Sequence, residues 1–114
     1  MKLSSLPFLF LAFILFSCSA GMPENATQAE FKVWGNCGMC KKTIENSLKE
    51  AHGVVSANWN KDTKMMTLVY DTTATNLQTV QEQIATSGYD TELARGNDEA
   101  YSALHECCLY ERKK

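Results

Sequence analysis

The sequence predicts an α+β chain ordered strand, helix, strand, strand, helix, strand, with a short helical extension at its C-terminal end. Three observations carry this reading. Apolar and β-prone residues cluster at positions 30–34, 54–59 and 65–70, largely in the alternation of half-buried strands. Positions 40–52 and 77–85 instead repeat apolar residues every three or four positions, the period of a helix packed on one face. Gly53 and Gly88 follow the two helical stretches and close them.

The chain ahead of the first strand reads as a processing signal rather than as fold. Met1-Lys2 is a short positive start, and positions 6–16 form an apolar run broken only by Pro7. The run falls well short of the ~20 residues that span a bilayer and matches a secretory h-region. Leu15-Phe16-Ser17-Cys18 then resembles the lipobox of bacterial lipoproteins. That resemblance implies a signal peptide over 1–17, a lipidated Cys18 and a tether over 18–28. The protein would be exported and held on a bacterial membrane, on its periplasmic or cell-surface side. The alternative is plain cleavage after Ala20. Five cysteines are an odd number for an exported chain, and lipidation of Cys18 would leave an even set of Cys37, Cys40, Cys107 and Cys108. The formal net charge is −2 with no long block of either sign, so nothing suggests a nucleic-acid partner.

Each element has its local reason. Phe31 and Val33 share one face of the first strand, and the first helix places Cys40, Ile44, Leu48 and Ala51 on one stripe ending near His52. In the second strand Val55, Ala57 and Trp59 alternate against Ser56 and Asn58, and a polar turn at 60–64 leads to the third, giving a hairpin. Thr75-Asn76-Leu77-Gln78 has the form of a capping box, opening a second helix striped by Leu77, Val80, Ile84 and Ala85. Residues 89–93 complete the set as a short edge strand. This order is the split βαβ pattern of ferredoxin-like folds, a βαββαβ sandwich. Residues 95–98 read as a linker, and the rest as an appendage of helical character with Tyr101, Leu104, Cys107 and Cys108 crowding one side.

The chemistry concentrates at Val33-Trp34-Gly35-Asn36-Cys37-Gly38-Met39-Cys40-Lys41-Lys42. Cys37 falls in a loop and Cys40 at the opening of a helix, where free N–H groups and the macrodipole favour negative charge. With Lys41 and Lys42 adding to that field, both sulfurs should be available as thiolates. The helical stripe turns Cys40 toward the core and leaves Cys37 open to solvent. Thiolates select soft ions, and no carboxylate cluster nearby points to a hard one. A disulfide without function and thiol-disulfide exchange through Cys37 and Cys40 are the alternatives. Cys107 and Cys108 could join the site, form a second one, pair as a disulfide or simply pack. Adjacent helical positions diverge by about 100°, so one ion held by both would require a bend in the backbone.

These residues resemble the heavy-metal-associated domain, over about residues 29–95, with 96–114 as a cysteine-containing extension. The resemblance rests on Cys37-x-x-Cys40 between first strand and first helix, on Gly53-Val54 opening the second strand, and on Gly88-Tyr89 after the second helix. It implies that Cys37 and Cys40 bind a soft ion, Cu(I) first, with Hg(II) or Zn(II) as alternatives, and that Tyr89 faces the metal loop with Lys41 nearby. A non-enzymatic role in transfer or sequestration follows, with a metal-transporting ATPase or efflux component as partner. Trp34-Gly35-Asn36 stands where family members carry Gly-Met-x, the methionine tucked under the loop.

Overall fold

The computed structural model describes residues 23–114. The proposed signal peptide and Cys18 lie outside the described residues. Strand β1 (Ala26–Lys32), helix α1 (Gly38–Ser47), strands β2 (Val54–Trp59) and β3 (Met65–Asp71) and helix α2 (Leu77–Thr86) follow in the expected order. A short helix α3 (Asp98–Ser102) and a 3₁₀ turn at Glu106–Cys108 complete the chain. The α+β, ferredoxin-like class read from the sequence is therefore the observed one.

The sheet is antiparallel, ordered β1-β3-β2, with the hairpin strand β3 at its centre. Phe31 pairs with Met66 on one side of β3, and Trp59 pairs with the same Met66 on the other. All three are buried, and they meet Ile44 of α1, Leu48 at its C-cap, and Val80 and Ile84 of α2 in one core. The helical stripe that begins at Cys40 is thus an inward face, which fixes the orientation of the thiol at its head.

Several boundaries differ from expectation, each for a physical reason. β1 begins at Ala26, inside the stretch read as tether, because β3 offers partners as far as Asp71. α1 ends at Ser47 rather than His52; the chain then descends through turns to Gly53, whose φ of +79° is left-handed as expected. A bulge between Val54 and Ser56 shifts the register of β2, so Val55 faces outward instead of joining Ala57 and Trp59. The cap of α2 is Asn76, whose side chain accepts from the Thr79 N–H at 2.9 Å; the Thr75 capping box does not form.

The fourth strand shrinks to one bridge, Val33 with Thr91. Trp34 N–H reaches Asp90 O at 2.9 Å, but Thr91 then turns back on itself, its N–H on Ala94 O at 2.8 Å. Residues 95–98 are tied down by hydrogen bonds rather than free, with Gly96 alone of the four buried. Gly96 N–H donates to the buried Asp90 carboxylate at 2.7 Å, and Asn97 N–H to Ala85 O at 2.9 Å. The extension is likewise not one helix. It breaks after α3, resumes as the 3₁₀ turn, and finishes extended across the end of the domain that carries the thiol loop.

Candidate metal site

Cys37 is the N-cap of α1, with extended backbone at φ −134° and ψ 179°, and Cys40 lies in the helix's first turn. The sulfurs are 3.6 Å apart. Cys40 is fully buried and Cys37 partly exposed, the asymmetry expected from the stripe. Asn36 N–H points at Cys40 Sγ from 3.4 Å. The Cys40 backbone N–H, with the Cys107 thiol next in weight, draws the Cys37 pKa down to about 6, so this sulfur is a thiolate at neutral pH.

Lys41 does not serve the field in the way the sequence suggested. Its ammonium is bonded to the Glu45 carboxylate, to Asn58 Oδ1 and to Trp59 O at 2.6–2.8 Å, tying α1 to the end of β2. Loop packing is also solved differently from the family pattern. The Trp59 indole lies under Gly35, where an added Cβ would come within 2.9 Å of the ring, and its Nε1–H donates to Val33 O at 3.0 Å. An aromatic ring from β2 thus lies beneath the loop. The place of Trp59 in the alternation of the second strand reads first as sheet packing; the signal that could have found this role is Gly35 itself, two residues ahead of the first thiol.

The extension brings both of its cysteines to the loop. Cys107 Sγ is 3.2 Å from Cys37 Sγ and 3.6 Å from Met39 Sδ, on the exposed rim. Cys108 is buried, 3.6 Å from Cys37 Sγ, and the Cys37, Cys40 and Cys108 sulfurs all lie within 4.8 Å of one another. Burial and the neighbouring sulfurs raise the Cys108 pKa far above that of a free thiol, and the Cys37 sulfur beside Cys107 raises that one too.

Tyr89 is fully buried behind these sulfurs. Its hydroxyl has no hydrogen-bond partner among the described residues; burial first, and the neighbouring Cys40 and Cys108 next, push its pKa sharply up, so the group stays neutral. The ring stacks on Tyr110 at 5.6 Å between centroids. Tyr110 was not singled out by its sequence, yet its hydroxyl donates to Gly88 O at 2.6 Å and accepts from Asp90 N–H at 2.8 Å. Asp90 in turn takes two bonds from Arg112, at 2.8 and 2.9 Å, and one from Lys113 N–H. Tyr89 is buried in one core cluster with Cys40 and Cys108; the residues that lock the tail behind it lie too far along the chain for local periodicity to reveal.

Fold and loop together define a small α+β thiol domain with its two-cysteine motif between first strand and first helix. The family model for the heavy-metal-associated domain matches residues 36–90. The copper chaperone CopZ of Staphylococcus aureus is 31% identical over 55 residues, covering 48% of this chain and 81% of that protein. A solved CopZ metallochaperone superposes with a TM-score of 0.55 at 30% identity, covering 57% of this chain and 98% of its own. The N-terminal domain of a potential copper-translocating P-type ATPase from Bacillus subtilis, solved in its Cu(I)-loaded state, gives 0.56 at 27% identity, covering 64% of this chain and 92% of its own. The chain belongs to the heavy-metal-associated domain family. The match ends at residue 90, so Cys107 and Cys108 fall beyond it.

Proposed function

We propose that this protein binds Cu(I) through Cys37 and Cys40 and hands it on by ligand exchange. The observation that carries the reading is the asymmetric pair itself: two sulfurs 3.6 Å apart at a helix N-terminus, one sheltered and one reachable. An incoming thiolate attacks the ion from the Cys37 side while Cys40 still holds it, so the ion never passes free through water. The relatives named as a copper chaperone and as a copper-translocating ATPase domain support Cu(I) as cargo and such an ATPase as the partner. The leader and Cys18 support an exported, lipid-anchored location.

Anaerobic Cu(I) titration of the reduced protein against a competing chelator tests the cargo. One tightly held ion, lost in the Cys37→Ser, Cys40→Ser double variant, is the expected result. Preference for Hg(II) or Zn(II) in competition would reassign the cargo, and a reversible Cys37–Cys40 disulfide with no metal retention would replace transport by redox exchange. Labelling of expressing bacteria with a radioactive fatty acid tests the anchor: label should enter the wild type and be absent from Cys18→Ser.

A further inference from the structure

We propose that Cys108, carried in by the C-terminal tail, is a third protein ligand, so that one soft ion is held by the sulfurs of Cys37, Cys40 and Cys108. The proposal rests on the metal-binding reading above and changes what that site is: three-coordinate, and closed by a segment outside the family's matched region.

Geometry is the first argument. With metal–sulfur bonds of about 2.3 Å, a linear dithiolate needs its sulfurs about 4.6 Å apart, whereas a trigonal site needs each pair about 4.0 Å apart. Cys37 Sγ lies 3.6 Å from both Cys40 Sγ and Cys108 Sγ, and all three pairs fall within 4.8 Å. Both distances from Cys37 lie nearer the trigonal spacing than the linear one, and no pair of the three sulfurs exceeds 4.8 Å.

Tyr89 supplies the second, independent argument. Its hydroxyl is buried and has no hydrogen-bond partner among the described residues, which is costly for such a group. Tyr89 is buried in the same core cluster as Cys40 and Cys108. If both sulfurs are metal-bound thiolates, the hydroxyl gains a strong acceptor, and the cost of burying it is offset. Donors to the ligand atoms of this kind orient ligands at metal sites generally.

The tail is also built to hold this position. Tyr110, two residues on, is bonded to Gly88 O and Asp90 N–H, and its own carbonyl accepts from the Tyr101 hydroxyl at 2.7 Å. Arg112 bonds the Asp90 carboxylate and Gly96 O. Between them, these contacts fix the 3₁₀ turn over the loop with Cys108 inward and Cys107 outward. The 3₁₀ turn brings the Cys107 and Cys108 sulfurs to 3.9 Å of each other, so what selects Cys108 is its burial beside Cys37 and Cys40, while Cys107 stays exposed on the rim.

The test loads the full-length reduced protein anaerobically with one equivalent of Cu(I) and counts bound sulfurs by X-ray absorption at the copper edge. Three sulfurs are expected in the wild type, three in Cys107→Ser, and two in Cys108→Ser. Loss of a partner that merely bonds a ligand lowers metal affinity 10- to 100-fold, so loss of the ligand itself should weaken retention by at least about tenfold. Two sulfurs in the wild type, or a count that falls in Cys107→Ser and not in Cys108→Ser, would overturn the assignment. The wild-type count needs no variant, so a misfolded substitution cannot decide the matter. If the wild type retains no Cu(I), the proposed function fails as well; if it binds with two sulfurs and the Cys37→Ser, Cys40→Ser variant releases the ion, only this inference fails.

Discussion

At the residue scale, Cys37 and Cys40 are three positions apart and yet have opposite surroundings, because one caps the helix and the other heads its buried stripe. A thiol with its pKa lowered to about 6 is ionised above that pH, and the advantage is lost as pH falls through about 6. Iodoacetamide should therefore alkylate Cys37 in the reduced apoprotein with a half-maximal rate near pH 6, while buried Cys108 reacts only on unfolding; mass spectrometry of the labelled peptides reads both. Cu(I) retention should weaken over the same window as protons compete for the sulfur. Gly35 is a second residue whose reason is local. Its missing Cβ leaves room for the Trp59 ring at 2.9 Å, so Gly35→Ala should cost about 1–3 kcal/mol in urea denaturation through overpacking under the loop.

At the element scale, the tail and the segment after α2 form one device centred on Asp90. Burial alone would raise this carboxyl, but Arg112, Lys113 N–H and Gly96 N–H outweigh it and hold the pKa below the usual carboxylate value. The sign follows: the clamp contributes fully above the unfolded carboxyl pKa of about 4 and is lost as pH falls through the lower folded value. Amides of residues 98–114 should exchange with deuterium faster in acid than those of β3. Asp90→Asn removes one partner of a buried ion pair and should cost about 3 kcal/mol, the low end of the range for such losses because Arg112 is partly exposed. Asn76→Ala should cost about 1 kcal/mol for the lost cap of α2.

These elements also show where sequence reading stops. Strands and helices were legible because period and turn residues are local properties, and Cys37 and Cys40 because their spacing and setting are. The edge strand at 89–93 was overestimated because the Asp90 carboxylate is claimed by Arg112 and Gly96, while Thr91 turns toward Ala94; the long-range part of that competition has no periodicity. A charge near a helix start says nothing of Glu45 and Asn58, which hold the Lys41 ammonium at bonding distance. For the two tail cysteines several roles stay open in the sequence, since a helical projection crowds both on one side and does not decide which sulfur turns inward. The break between α3 and the 3₁₀ turn decides it.

At the scale of the whole molecule, one ion held by Cys37 and Cys108 would join sulfurs 71 residues apart. A ligand bound only by the folded state stabilises it by about 2.7 kcal/mol at a hundredfold excess over Kd. For a domain this small each kcal/mol moves Tm by roughly 4–8 °C, so Cu(I) should raise Tm by roughly 10–20 °C and a chelator should reverse it. The behaviour of Asp90→Asn then separates a tail that supplies a ligand from one that only covers the loop. If docking of the tail is required to complete the site, loosening it reduces the fraction of molecules able to bind, and apparent affinity falls by that fraction. The variant should need more Cu(I) than the wild type to reach the same rise in Tm, and the deuterium exchange of residues 98–114 should slow again as the ion binds. A tail that is merely a cover would lower the Tm of apo and loaded protein equally and leave the Cu(I) dependence unchanged.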